Sequence, residues 1–191
     1  MSRYNKNMTK SEALQLVRQH VKNENLVKHM IAAGAVMRAL ARKFGGDEDK
    51  WELAGILHDM DWEETADDFK MHSVKAKEYL QEAGVDADII NAVYVHNHIH
   101  GLEPVTMMEK ALYCSEELTG LIVACALVVP SKKLADVKVK SILKKFKQPS
   151  FAAGVDRDLI QQCQEKLKMS LEELVELELK AMQAIAEELG L

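Results

Sequence analysis

Leu53-Ala54-Gly55-Ile56-Leu57-His58-Asp59-Met60-Asp61 is the stretch on which the reading of this chain turns. An apolar run delivers a histidine and an aspartate side by side, and acid-rich sequence follows at once. The dipeptide gains weight from its company. His29 lies upstream, His72 and His96 lie downstream, and an acidic pair, Glu116 and Glu117, comes further on. All fall within the first two thirds of the chain, on what read as separate helices. A polar or charged group beside an apolar face is costly unless it is paired or bound to metal. A divalent ion with an open coordination position needs a few neutral imidazoles and carboxylates on a rigid frame. His29, His58 and Asp59 supply two nitrogens and an oxygen, and an acid from the helix carrying Glu116 completes the set. His72 and His96 are placed to bind a second ion or to hold a substrate phosphate.

The bulk numbers suit a soluble helical protein. The 191 residues suffice for one sizeable core, or a core with an appendage. Hydrophobic residues make up 48% and charged residues 29%, with three prolines, nine glycines and 5% aromatics, a mix that favours helices. A net charge of -5 argues against a nucleic-acid polymer as partner. Cys114, Cys125 and Cys163 are odd in number and form no CxxC pair, so buried reduced thiols and a cytoplasmic setting are expected. Met1 to Met8 contain no apolar leader core, so no signal peptide is expected. The longest apolar run, Leu121 to Pro130, falls short of the roughly 20 residues that span a bilayer.

Along the chain, Thr9-Lys10-Ser11-Glu12 is a capping box that opens an amphipathic helix through Leu14, Val17 and Val21. A second helix is expected from about Asn25 to Phe44, with His29 among its core positions and Gly45-Gly46 as its stop. Asp47 caps a third, which ends at His58-Asp59. Neighbours in a helix point about 100° apart, so adjacent ligands converge most easily where a helix is ending. Asp61 to Phe69 read as an acidic loop. A fourth helix starts near His72 and runs to Gly84. A fifth, capped by Asp86 or Asp88, leads into His96-Asn97-His98-Ile99-His100. Of His98 and His100, at most one is expected to face the site. A second capping box, Thr106 to Glu109, opens a long apolar helix to about Val129, and Pro130 stops it. Between Ser131 and Lys147 seven lysines stand against one acid, Asp136. They form either a basic rim for a phosphorylated substrate or a solvated face over buried Leu134, Val137, Ile142, Leu143 and Phe146. A helix near Asp156 to Leu167 follows. Ser170 to Glu173 then caps a final acidic helix to about Leu189, which is placed to pair with the lysines within the chain or across a homodimer.

The ordered set His29, His58-Asp59, His72, His96 and a late acid resembles the HD-domain superfamily of metal-dependent phosphohydrolases. The segments beginning at His29, at Ala54, at His72 and at Ile89, and Lys110 to Leu118, are similar to that family's ligand-bearing segments; the resemblance covers roughly residues 25 to 125. It is greatest to small bacterial predicted hydrolases. The histidine spacing is also similar to that of HD-type hydrolases of dinucleoside tetraphosphates. The resemblance implies an all-α fold, an HD-domain helical bundle over residues 1–130, with a C-terminal helical extension over 131–191 packed on the same core. It implies one or two divalent ions (Mn, Fe, Co, Ni, Mg or Zn) held by His29, His58, Asp59 and Glu116, with Glu117 as the alternative acid and His72 and His96 as further ligands. The expected activity is hydrolysis of a small phosphorylated compound such as a nucleotide, with Asp59 as ligand and orienter and Asp61 as general base or as a solvated acid. The expected partners are that substrate and a second copy of the chain, with no membrane.

The sequence departs from the family pattern in several places. The last ligand is usually aspartate, where Glu116 stands here. His96 is followed by Asn97 rather than a second histidine. Trp62 and Glu63 replace the Glu-Asp pair of guanosine-tetraphosphate hydrolases, and the Gly-Tyr-Pro motif of one cyclic-dinucleotide phosphodiesterase subtype is missing. A non-catalytic ligand-binding module and an HD-type di-iron oxygenase are the competing expectations.

Overall fold

The structure is a computed structural model that describes residues 8–191. Residues 1–7 of the N-terminal stretch read above as lacking a leader lie outside the described residues. Every regular element among those described is helical. In chain order they are α1 (Lys10–His20), α2 (Glu24–Phe44), α3 (Glu48–Leu57), α4 (Trp62–Thr65), α5 (Val74–Glu82), α6 (Ala87–His96), α7 (Met107–Val128), α8 (Val139–Phe146), α9 (Arg157–Gln161), α10 (Cys163–Lys166), α11 (Leu171–Ala184) and α12 (Ala186–Leu189). The three capping boxes form as the local sequence dictates. Thr9, Thr106 and Ser170 each accept from the backbone N–H three residues on, and Glu12, Glu109 and Glu173 reach back. Gly45 ends α2 in the left-handed region, at φ 72°.

α2 and α3 pack closely where they cross. A Cβ added to Gly55 would lie 2.6 Å from the backbone of Ala33 and Gly34, and one added to Gly34 would lie 2.7 Å from Ile56. Two facing glycines let the helices touch backbone to backbone. His29 lies five residues before Gly34 and His58 three residues after Gly55, so this crossing brings the two histidines together. The core below holds Met30, Met37 and Leu40 of α2 against Leu112, Leu118, Leu121 and Ile122 of α7, all fully buried. Leu174, Val175, Leu179 and Met182 of α11 close over it, so the C-terminal residues share one core with the rest.

α7 runs for 22 residues, well past the apolar run visible in the sequence, and is by length and composition apolar enough to cross a bilayer. In this fold it is a core helix packed against α2, α6 and α9. The cysteines are buried and unpaired. The lysine-rich tract places Leu134, Val137, Ile142 and Phe146 inside and six of its seven lysines fully out, with Lys145 half-buried. Among the described residues, no ion pair joins these lysines to the acids of α11.

Three local expectations need correction and a fourth is sharpened. The acidic stretch from Asp61 to Phe69 contains a helical turn, α4, and both Asp61 and Thr65 are buried because α5 packs over them. The fourth helix, expected to start near His72, begins two residues on, at Val74. Ser73 sits at φ 64°, where its hydroxyl donates to the Tyr94 carbonyl at 3.1 Å. The helix expected from Asp156 to Leu167 breaks at Gln162, and the last helix breaks at Ile185, whose N–H turns back to the Met182 and Gln183 carbonyls.

Candidate metal centre

Four histidines meet at the ends and inner faces of four segments. His29 comes from α2, His58 directly follows α3, His72 lies in the turn before α5, and His96 is the last residue of α6. The hydrogen bonds behind each ring fix its tautomer. Nδ1–H of His58 donates to the Gly55 carbonyl at 2.7 Å, and that of His96 to the Val93 carbonyl at 2.5 Å. Nδ1–H of His72 donates to Asp61 Oδ1 at 2.9 Å. Thr119 gives its own hydroxyl proton to the Glu116 carbonyl at 2.7 Å and so accepts from His29 Nδ1–H at 3.0 Å. With every Nδ1 engaged as a donor, every Nε2 is left facing the centre of the cluster, where it can take a proton or a metal. These nitrogens face one another: Nε2 of His29 and His58 are 3.3 Å apart, and Nε2 of His72 and His96 are 3.2 Å apart. Two acceptors at that distance repel unless a cation or a proton lies between them.

Asp59 sits at the centre of the cluster. Its Oδ1 lies 3.4, 3.5 and 3.6 Å from Nε2 of His72, His58 and His96, and its Oδ2 lies 3.7 Å from Nε2 of His29. Glu116 Oε2, from α7, is 3.9 Å from Nε2 of His29. Two overlapping donor sets result, His29 with His58 and Glu116, and His58 with Asp59 and His96, each with its atoms within 4.8 Å. Imidazole nitrogens backed by hydrogen bonds, together with carboxylate oxygens, suit a divalent ion, so these residues fit the group that the sequence implies.

The electrostatics agree with that fit. Burial pushes His58 down to about 3 and lowers His29, which keeps both rings neutral as ligands must be. Burial also acts against protonation of His72, but Asp59 and Asp61 outweigh it and raise the ring to about 9. Burial disfavours the charged form of Asp59, yet the surrounding histidines hold it well below the usual carboxylate range. Glu116 is pushed well above that range by burial, then by Glu117 and Asp59. The cluster therefore recruits protons onto His72 and Glu116, which is the demand a cation satisfies. Burial raises Glu117 to about 7; it lines the cleft but belongs to neither donor set.

Asp61 is fully buried, and both its oxygens are engaged, one by His72 and the other by the backbone N–H of Ala76 at 2.9 Å. It stands behind His72 and holds that ring, and it is not among the residues that line the cleft. Asn97 is also outside the donor sets. Its Nδ2 donates to the carbonyls of Phe69 and His72 at 2.9 and 3.0 Å, and its Oδ1 accepts from Ile99 N–H at 3.1 Å. His98 lines the cleft, while Nε2 of His100 packs 3.0 Å from the Ser73 hydroxyl and from the His72 carbonyl. The cleft over the cluster holds about 280 Å³. Its walls include Trp62 and Phe69 on one side and Gly154 and Val155, from the C-terminal residues, on another. Sequence reasoning missed these walls and missed Thr119, although Thr119 lies one helical turn after Glu116 and shares its face.

Comparison with known proteins places this geometry. A family model described as "HD domain" matches residues 26–128. Among curated proteins, Ribonuclease Y of Sulfurovum sp. (strain NBC37-1) is 30% identical over 94 residues, which are 49% of this chain and 18% of that protein. Ribonuclease Y of Campylobacter jejuni (strain RM1221) is 31% identical over 94 residues, with the same shares. The chain thus aligns with less than a fifth of the length of these relatives. No solved structure matches. A family match over more than half of the chain, laid on an all-helical frame, shows that this protein belongs to the HD-domain family.

Proposed function

We propose that the protein is a metal-dependent phosphohydrolase acting on a small phosphorylated compound. The observation that carries this reading is the set of four Nε2 atoms turned toward one another around Asp59. His29, His58, Asp59 and Glu116 would hold one ion, and His72 and His96 give ligands for a second. A divalent ion there would supply a water that is nucleophilic near neutral pH and would draw charge from a phosphoryl oxygen. The protein's own residues do the rest. Asp61, Thr119 and the carbonyls of Gly55 and Val93 lock the tautomers. Asp59 orients the imidazoles around one point. Trp62 and Phe69 flank the approach and keep water away from one side of it.

A second reading, cleavage of RNA phosphodiesters, is favoured by the names of the curated relatives. The small cleft and the negative net charge support the first over the second. The test is phosphate release from a panel of phosphomonoesters, nucleotides and RNA with each divalent metal in turn. His58→Ala and Asp59→Ala should each abolish metal binding and turnover. Undiminished turnover after complete chelation would refute the reading. Metal-free protein that binds a nucleotide tightly and turns nothing over would mark a ligand-binding module instead.

A further inference from the structure

The cleft walls carry information about the substrate that the metal ligands do not. Among the described residues that line the cleft there is no lysine or arginine. Of its three carboxylates, Asp59 and Glu116 belong to the donor sets and Glu117 lies outside them. The phosphate-charge problem is therefore solved at one place only, the His–Asp floor. A phosphate beyond the first would lie beside Glu117, with no lysine or arginine of the lining opposite it. Beyond the floor histidines, Asn97 and His98 are the other polar groups of the lining, and the rest is apolar. Trp62 packs edge-on to His72 with ring centroids 5.0 Å apart, and to Phe69 at 5.4 Å, so the aromatic wall runs from the floor to the mouth. Phe69 is 47% exposed and Ile99 45%, although both are large and apolar, and Val155 stands across from them on the C-terminal wall. At about 280 Å³ the space is at the small end for ligand sites, which run from about 300 Å³ upward.

We propose that the substrate is a phosphomonoester with a single phosphate and a flat apolar group that lies against Trp62 and Phe69, a nucleoside monophosphate being the best fit, and that polyphosphate chains are rejected. The inference rests on the phosphohydrolase reading above. In the reaction the oxygen of one water forms a bond to phosphorus and the ester P–O bond breaks. The leaving oxygen takes a proton, giving the free alcohol and inorganic phosphate with no redox change.

The test uses binding as well as turnover. Trp62 fluorescence is followed in the full chain carrying Trp51→Phe, loaded with Mn²⁺, in the first seconds after mixing with AMP, ADP, ATP, diadenosine tetraphosphate or ribose 5-phosphate. AMP should quench the signal. Each further phosphate should weaken binding by about tenfold to a hundredfold, the factor for one unneutralised charge about 6–12 Å from a carboxylate at an effective dielectric constant of about 20. Ribose 5-phosphate should bind about tenfold more weakly than AMP, the scale of one lost base–aromatic stack. Competition against a fluorescent nucleotide should show that Trp62→Leu erases that preference. ADP, ATP or diadenosine tetraphosphate binding as tightly as AMP would overturn the inference and leave the phosphohydrolase reading standing. Equal binding of ribose 5-phosphate and AMP would overturn it as well. AMP binding in the predicted order, with no phosphate released under any metal, would instead overturn the catalytic reading and support the binding preference.

Discussion

Gly55→Ala is the substitution that best separates this account from a looser one. The new methyl would sit 2.6 Å from the carbonyl carbon and oxygen of Ala33 and from the nitrogen of Gly34, about 0.8 Å short of the 3.4 Å where ordinary contact begins. All three atoms are backbone, so no side chain can swing aside; α2 and α3 must part. Overpacking of this kind costs about 1–3 kcal/mol. For a chain of this size each kcal/mol shifts the melting temperature by about 2–4 °C, so a fall of about 2–12 °C is expected. The same displacement separates His29 from His58, whose Nε2 atoms are 3.3 Å apart. Mn²⁺ affinity should drop about tenfold or more, the size of effect seen when support behind metal ligands is lost. Thermal melts of the chelated protein and Mn²⁺ titration by calorimetry read the two effects. Gly154→Ala is the control, since a Cβ there meets nothing within 4 Å. A Gly55→Ala protein that melts and binds Mn²⁺ like the parent would refute the argument that the glycine crossing sets the ligand geometry.

Asp61→Asn should keep the fold and lower metal affinity about 10–100-fold, since the amide no longer fixes His72 as the Nε2 donor; equilibrium dialysis measures this. Glu178 is buried with both oxygens unpaired, and burial pushes its carboxyl well above the usual range. A group whose folded pKa is raised costs stability as pH climbs past its unfolded value near 4.3, by about 1.4 kcal/mol for each unit of the shift. Glu178→Met should therefore stabilise the protein more at pH 8 than at pH 4.5 in urea titrations, and an equal effect at both would count against an ionisation cost. Chelation should lower the melting temperature by about 5–11 °C relative to protein in metal at 100 times its dissociation constant, as read by calorimetry.

What the sequence revealed follows from the range of each interaction. The capping boxes at Thr9, Thr106 and Ser170 are readable because donor and acceptor lie three residues apart. The histidine order is readable because each ring sits beside its own apolar run. Asp61 was harder: its neighbours in sequence are acidic, and only the packing of α5, which brings the Ala76 N–H and His72 onto it, turns a loop acid into a buried brace. The facing glycines of α2 and α3 carry no local signal, since nothing near Gly34 announces Gly55. The wall made by Gly154 and Val155 depends on α9 packing back onto α7, a contact between residues far apart in the chain. The broken last helix escaped notice because its Leu and Glu pattern continues through Ile185.

Four imidazoles and Asp59 are arranged for a divalent ion. Elemental analysis of the purified chain after dialysis against Mn²⁺, beside His58→Ala treated identically, tests it most directly. Metal should be bound in the parent chain, in a fixed ratio to protein, and lost in the variant. A parent chain that binds no metal, or a variant that binds as much as the parent, would contradict it.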